Sequence, residues 1–92
     1  MSNKSLRQWA TVFRGLGNPN RLKILQILSR TKQMSVSALA DELGISLKNT
    51  SRNLSILANL DLIEFQGRQD RVYYSINPKL SGAVARIFKI VF

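Results

Sequence analysis

Cysteine and histidine are both absent from the 92 residues. Their absence excludes disulfides, thiolate chemistry and thiol-based redox sensing, and with them the usual soft metal sites. Carboxylates are scarce, with Asp and Glu numbering 5 against 14 Lys and Arg. Those few acids show no pairing suited to acid–base work, and no nucleophile–base pair or phosphate loop accompanies them, so the chain is expected not to be an enzyme. No stretch approaches the roughly 20 apolar residues of a membrane span. The opening MSNKSLRQWA lacks the apolar run of a signal peptide. A cytoplasmic location is therefore expected, and the Asn-x-Ser patterns at Asn49 and Asn53 carry no glycosylation message.

What remains is one small basic domain, expected to span residues 1–92. A chain of this size buries about 60–68% of its unfolded surface, enough for one modest core. With 45% hydrophobic and 21% charged residues the composition is ordinary for a soluble fold. The net charge of +9 is not ordinary, and it implies a polyanionic partner: nucleic acid or an anionic membrane surface.

Leu6, Trp9, Ala10 and Phe13 recur at helical spacing and predict a first helix from about Asn3 to Arg14, ended by Gly15-Leu16-Gly17. The only two prolines each follow an asparagine. Asn18-Pro19 predicts an N-cap and first position, opening a core helix through Leu22, Ile24, Leu25, Ile27 and Leu28 to about Arg30. Ser35 is read as the cap of a third helix with Val36, Leu39, Ala40 and Leu43 as its buried stripe and Gly44 at its end. Ser46 caps a fourth, whose predicted inward face is Leu47, Thr50, Leu54, Leu57 and Ala58. The period then changes: Leu62–Phe65 and Val72–Ile76 flank a polar turn, Gly67 to Asp70, as a β-hairpin. Asn77-Pro78 is read as the start of a last helix through Leu80, Val84, Ile87, Phe88 and Val91.

A helix, a tight turn, a second helix and a hairpin make a winged helix-turn-helix, in which the second helix enters a DNA major groove. At about 100° per residue, Lys48, Arg52 and Ser55 form one outward ridge, with Asn49 and Ser51 at its margins. Arg and Lys donate to guanine, Asn pairs with adenine, and Ser46, Ser51 and Ser55 suit phosphate or close base contact. No acid lies between Ser46 and Asn59, whereas an ordinary solvated helix face usually carries some. On the hairpin, Arg68 and Arg71, with Gln66 and Gln69, suit the backbone or minor groove. Lys32 and Gln33 are candidates to hold a phosphate.

Asn18 to Leu25 (NPNRLKIL), Ser37 to Gly44 (SALADELG), Ser46 to Leu57 (SLKNTSRNLSIL), Leu60 to Ile63 and Arg71 to Tyr74 together resemble the ArsR/SmtB-type repressors. The resemblance implies the order α-α-α-α-β-β-α and a homodimer held by the first and last helices. It further implies that the two fourth helices read a two-fold-related operator in double-stranded DNA. Trp9, Phe13, Val84, Ile87, Phe88 and Val91 are then the dimer face. Ser35 and Ser37 stand where many members carry metal-sensing cysteines, and the last helix offers only Lys79, Arg86 and Lys89 as charged groups. No metal site or cofactor is expected, and no small-molecule effector is named. Thr50 stands where a branched aliphatic is usual and Asn53 where a His is common.

The leading expectation is a sequence-specific dimeric regulator, a repressor that does not answer to metals. The rival is a winged-helix protein-interaction or architectural DNA-binding module with little specificity. A membrane-surface role for Ala83–Phe92 is weaker, since a helix packed in a dimer explains the same apolar pattern.

Overall fold

Local capping chemistry lays out most of the chain. The computed structural model describes residues 4–92. Helix α1 spans Leu6–Leu16 and opens with a capping box, in which Ser5 Oγ accepts from Gln8 N at 3.1 Å and Gln8 Oε1 accepts from Ser5 N at 2.7 Å. The expected start at Asn3 lies outside the described residues. At its other end the helix passes through Gly15 rather than stopping there, because Gly15 is buried against the Leu60 side chain. A side chain at position 15 would collide with that leucine, so the glycine serves close packing and the stop falls at Gly17.

Helix α2 spans Pro19–Arg30, with Asn18 Oδ1 accepting from the amides of Asn20 and Arg21. Helix α3 spans Val36–Leu43 and follows its Ser35 cap; Gly44 closes it in the left-handed region at φ 69°. Helix α4 spans Leu47–Asn59 behind the Ser46 cap. It ends in a Schellman motif: Leu62 N donates to Leu57 O, Asp61 N donates to Ala58 O, and Asp61 takes φ 58°. The associated apolar contact is Leu57 with Leu62, both buried.

Three details depart from the sequence reading. A two-residue strand, β1 (Met34–Ser35), precedes α3 and pairs with the hairpin, so the sheet has three antiparallel strands in the order β1-β3-β2. The hairpin strands β2 (Ile63–Arg68) and β3 (Arg71–Ile76) run further toward the tip than expected. Gly67 and Arg68 are in the strand, and the turn itself is Gln69-Asp70, with Gln69 at φ 57°. Asn77-Pro78 does not open the last helix. Asn77 instead accepts from Lys79 N at 2.9 Å and donates to Asp61 O at 2.8 Å, tying the hairpin exit to the end of α4. Ser81 caps α5, which spans Gly82–Val91.

The core forms where α2, α3 and α4 meet the base of the hairpin and the inner face of α5. Ile24, Leu25, Leu28, Leu39, Leu54, Leu57, Leu62, Ile63, Val84 and Phe88 make one cluster. From α1 only Val12 and Gly15 are buried, so that helix contributes little to the protomer's interior. Gly44 has open space where a Cβ would stand, so Gly44→Ala tests backbone conformation alone. It should lower stability by about 1–2 kcal/mol in urea unfolding, the cost of a left-handed L-residue.

Candidate nucleic-acid interface

Helix α4 carries two chemically distinct faces. Thr50, Asn53, Leu54 and Leu57 are buried, while Ser46, Lys48, Asn49, Ser51, Arg52, Ser55 and Asn59 are exposed. Every residue of the expected DNA-reading ridge therefore faces outward. The helix N-terminus adds free amides and a positive dipole end, and no acid occupies the first turn. Ser46 Oγ is engaged as the cap, accepting from Asn49 N at 3.0 Å, which still leaves its hydroxyl hydrogen to donate.

Two positions on this helix differ from the sequence reading. Leu47, expected on the inward face, is 54% exposed. It sits at the first helical position on the edge of the buried arc, where the core no longer reaches. Asn53, outside the predicted core, is only 5% exposed. Thr50 is fully buried, and its hydroxyl is satisfied locally by donating to Ser46 O at 2.8 Å. Ile56, on the outer side by periodicity, is half-buried.

Asn53 is held by a residue that sequence spacing did not connect to it. Arg21, in the first turn of α2, donates through Nη1 to Asn53 Oδ1 at 3.0 Å, through Nε to Gly15 O and through Nη2 to Arg14 O. Asn53 Nδ2 in turn donates to Asn49 O at 3.0 Å and to Asn49 Oδ1 at 3.1 Å. One guanidinium thus ties the end of α1 and the start of α2 to the middle of α4. Positions 21 and 53 belong to different helices, and neither residue type announces the other.

At the hairpin tip, Arg68 and Arg71 face each other on the last rung of the ladder, and both are exposed. Gln33 lines a shallow polar cleft with Arg68, Gln69, Asp70, Arg71 and Tyr73, so the segment before α3 does meet the wing. Lys32 is exposed in the same connection. Ser35 is buried and its Oγ accepts from Ala38 N at 3.2 Å, a capping role; Ser37 is exposed. Among the described residues no three His, Cys, Asp or Glu side chains gather as a metal-holding group.

The residues expected at a dimer contact fall into two sets. Val84 and Phe88 belong to the protomer's own core, at 3% and 7% exposure. Phe13 and Val91 are exposed, and Trp9 and Ile87 are half-buried. Trp9 stacks on Phe13 with ring centroids 5.5 Å apart. Leu6 and Ile90, outside the expected set, are the most exposed large apolar side chains of α1 and α5, at 88% and 83%.

A helix-turn-helix domain family matches residues 16–64, which runs from the end of α1 into β2. YgaV of Escherichia coli, an HTH-type transcriptional regulator, is 31% identical over 96% of this chain and 89% of its own length. The HTH-type transcriptional regulator Rv0324 of Mycobacterium tuberculosis is 36% identical over 94% of this chain, which spans 36% of that protein. The NMR structure of Mb0332 (fragment 1-100) from Mycobacterium bovis, a homodimeric winged helix-turn-helix DNA-binding domain of a possible ArsR-family regulator, is 34% identical. It superposes with a TM-score of 0.79 over 99% of this chain and 86% of that one.

The chain belongs to the ArsR/SmtB-type transcriptional regulators. Within that family of winged helix-turn-helix proteins, α3 and α4 are the helix-turn-helix and β2–β3 the wing. Within the helix-turn-helix, Ser35 is a helix cap and Ser37 faces solvent. No helix among the described residues is long and apolar enough to cross a membrane.

Arg21 is expected to matter for stability as well as for the site. Replacing it by Met keeps most of the aliphatic stem but removes the donors to three acceptors. Urea unfolding of Arg21→Met should register a loss of about 1.5–3 kcal/mol, the range for charge-assisted hydrogen bonds.

Proposed function

We propose that the chain is a homodimeric, sequence-specific repressor that occludes a promoter in the cytoplasm and is indifferent to metals. Residues 1–92 act as a single DNA-binding domain, with no catalytic step. The observation that carries this reading is the outward face of α4, where Lys48, Asn49, Ser51, Arg52 and Ser55 are all exposed and no acid interrupts them. Arg52 and Lys48 are assigned to base edges in the major groove, while Ser46, Ser51 and Ser55 take phosphates or close base contacts. Arg68 and Arg71 at the wing tip are assigned to the backbone or minor groove of the flanking DNA.

A dimer is supported by where the exposed apolar surface lies. Leu6 and Phe13 on α1 and Ile90 and Val91 on α5 are uncovered, and Val12 and Val84 line one cleft, which brings those two helices together. A monomer of this size rarely leaves such a surface in water. The homodimeric state of the Mb0332 domain supports the same arrangement here. The interface we assign is Leu6, Trp9, Phe13, Ile87, Ile90 and Val91. Val84 and Phe88 hold α5 to its own protomer beneath it.

Selection from a random duplex pool at physiological salt tests the function directly. A two-fold-related site bound about 10³-fold or more above bulk DNA is the expected outcome. A ratio near one instead identifies an architectural binder. Arg52→Ala should cost about 1–3 kcal/mol on the selected site and relax its preference. Arg68→Ala should weaken all sequences alike and reduce the salt slope by about 1 for each phosphate it no longer neutralises. For the dimer, Phe13→Asp and Ile90→Asp should sediment as folded monomers with weakened operator binding. Phe88→Asp should unfold the protomer, because it buries an unpaired carboxylate in the core.

A further inference from the structure

Hydrogen-bond polarity runs in one direction through the chain Arg21–Asn53–Asn49. A guanidinium has donors and no acceptor, so the atom of Asn53 facing Arg21 Nη1 must be the carbonyl oxygen Oδ1. At the far side of Asn53, the backbone carbonyl of Asn49 accepts and cannot donate, so the atom facing it must be Nδ2. Two independent constraints, one at each end, thus fix the orientation of the Asn53 amide. The same Nδ2 reaches the Asn49 side chain at 3.1 Å. A donor there requires Asn49 to turn its own Oδ1 toward Asn53, which leaves its Nδ2 free for another partner.

Asn49 occupies the third position of α4 and is exposed, in the helix turn whose residues contact base edges when such a helix enters the major groove. The geometry points to Asn49 as a specificity-determining residue that presents Nδ2 to its base, Oδ1 being turned toward Asn53, with its polarity set by Arg21 through Asn53. The consequence is a reversal of the usual pairing. The two-point contact of Asn with adenine needs one donor and one acceptor, to N7 and the N6 amino group. With Oδ1 held toward Asn53, the adenine amino group meets a donor. Guanine offers N7 and O6, both acceptors, on the same edge, and suits the two N–H groups of Nδ2. Asn49 therefore selects guanine over adenine. Arg21 and Asn53 are positioning residues, touching no DNA.

This inference rests on the DNA-reading role of α4 proposed above, and the test separates their failures. Random-pool selection is run on the wild-type chain and on Asn49→Ala, a surface change that leaves the fold intact. The position whose preference disappears in Asn49→Ala is the one Asn49 reads. Guanine should exceed adenine there by about tenfold, within the discrimination of one good base contact. Adenine at that position, or no position that responds, overturns the assignment while leaving the regulator reading in place. A pool with no preference at any position overturns both.

Asn53→Leu then tests the relay. Freed from Asn53, the Asn49 amide can turn, so adenine should gain on guanine at that one position while the preferences that depend on Arg52 stay unchanged. An unaltered guanine preference removes Arg21 and Asn53 from the mechanism. A base analogue gives a readout that needs no core substitution. Placing 7-deazaguanine at the position removes the N7 acceptor and should weaken the wild type several-fold more than it weakens Asn49→Ala. Equal weakening of the two proteins overturns the proposal.

Discussion

Arg21 is the fixed point at which α1, α2 and α4 are joined by directional bonds. A guanidinium offers five donors in a rigid plane, and here that plane spans the end of α1, the start of α2 and the middle of α4. At the C-terminal end of α1 the helix ladder runs out of donors: the Gly15 carbonyl is met by Arg21, and the Arg14 carbonyl accepts from Arg21 and from Gly17 N at 3.3 Å. A positive charge is favoured there by the helix dipole as well. Arg21 satisfies both needs and still has a nitrogen left for Asn53. Without it, the Gly15 carbonyl and the buried Oδ1 of Asn53 would each lose their side-chain donor. Apolar packing beneath α4 sets how that helix sits, and the directional bonds to Asn53 orient the amides along it.

Most of the elements were legible because their signals are local. An Asn or Ser followed by helix formers, a Gly at a helix end and a switch from helical to alternating periodicity each act within a few residues. Asn18, Ser35, Gly44 and Ser46 all perform the roles their neighbours implied. Several misreadings share a cause, which is that a partner far along the chain changed a residue's role. Asn77-Pro78 has every local mark of a helix start, yet Asn77 is bound to the end of α4, 16 residues earlier. Strand β1 is two residues long and exists only because β3 is there to pair with it. The link from Arg21 to Asn53 spans 32 residues and joins two polar side chains, and hydrophobic periodicity is blind to such a pair.

The candidate site divides in the same way. Exposure along α4 follows from periodicity, so the outward ridge of Lys48, Arg52 and Ser55 was readable directly from spacing. Leu47 was not, because a helical wheel treats every turn as equally covered while the first turn of α4 projects past the core. The dimer face was only half readable. Period alone cannot distinguish an apolar residue that packs under its own helix from one that packs on a partner. On α5, Val84 and Phe88 are buried while Ile90, on another side, and Val91, at the helix end, are exposed, a division visible only once the helix is docked.

Charge and packing place different demands on this small chain, and the fold separates them in space. A net charge of +9 on 92 residues repels itself, which destabilises a compact state. The core answers with uncharged residues throughout: its buried polar groups are Ser35, Thr50 and Asn53, each bound to backbone or to a side-chain partner. Cations sit on the surface, where solvent and salt screen their mutual repulsion. Arg21, half-buried like Lys4, has its charge shared among three oxygens rather than paired with a carboxylate. That choice has a structural consequence. A carboxylate partner would have neutralised the arginine, but an acid at position 53 would have placed negative charge in a helix that otherwise carries none. A neutral amide accepts the hydrogen bond, adds no charge of its own, and passes a defined donor direction to Asn49.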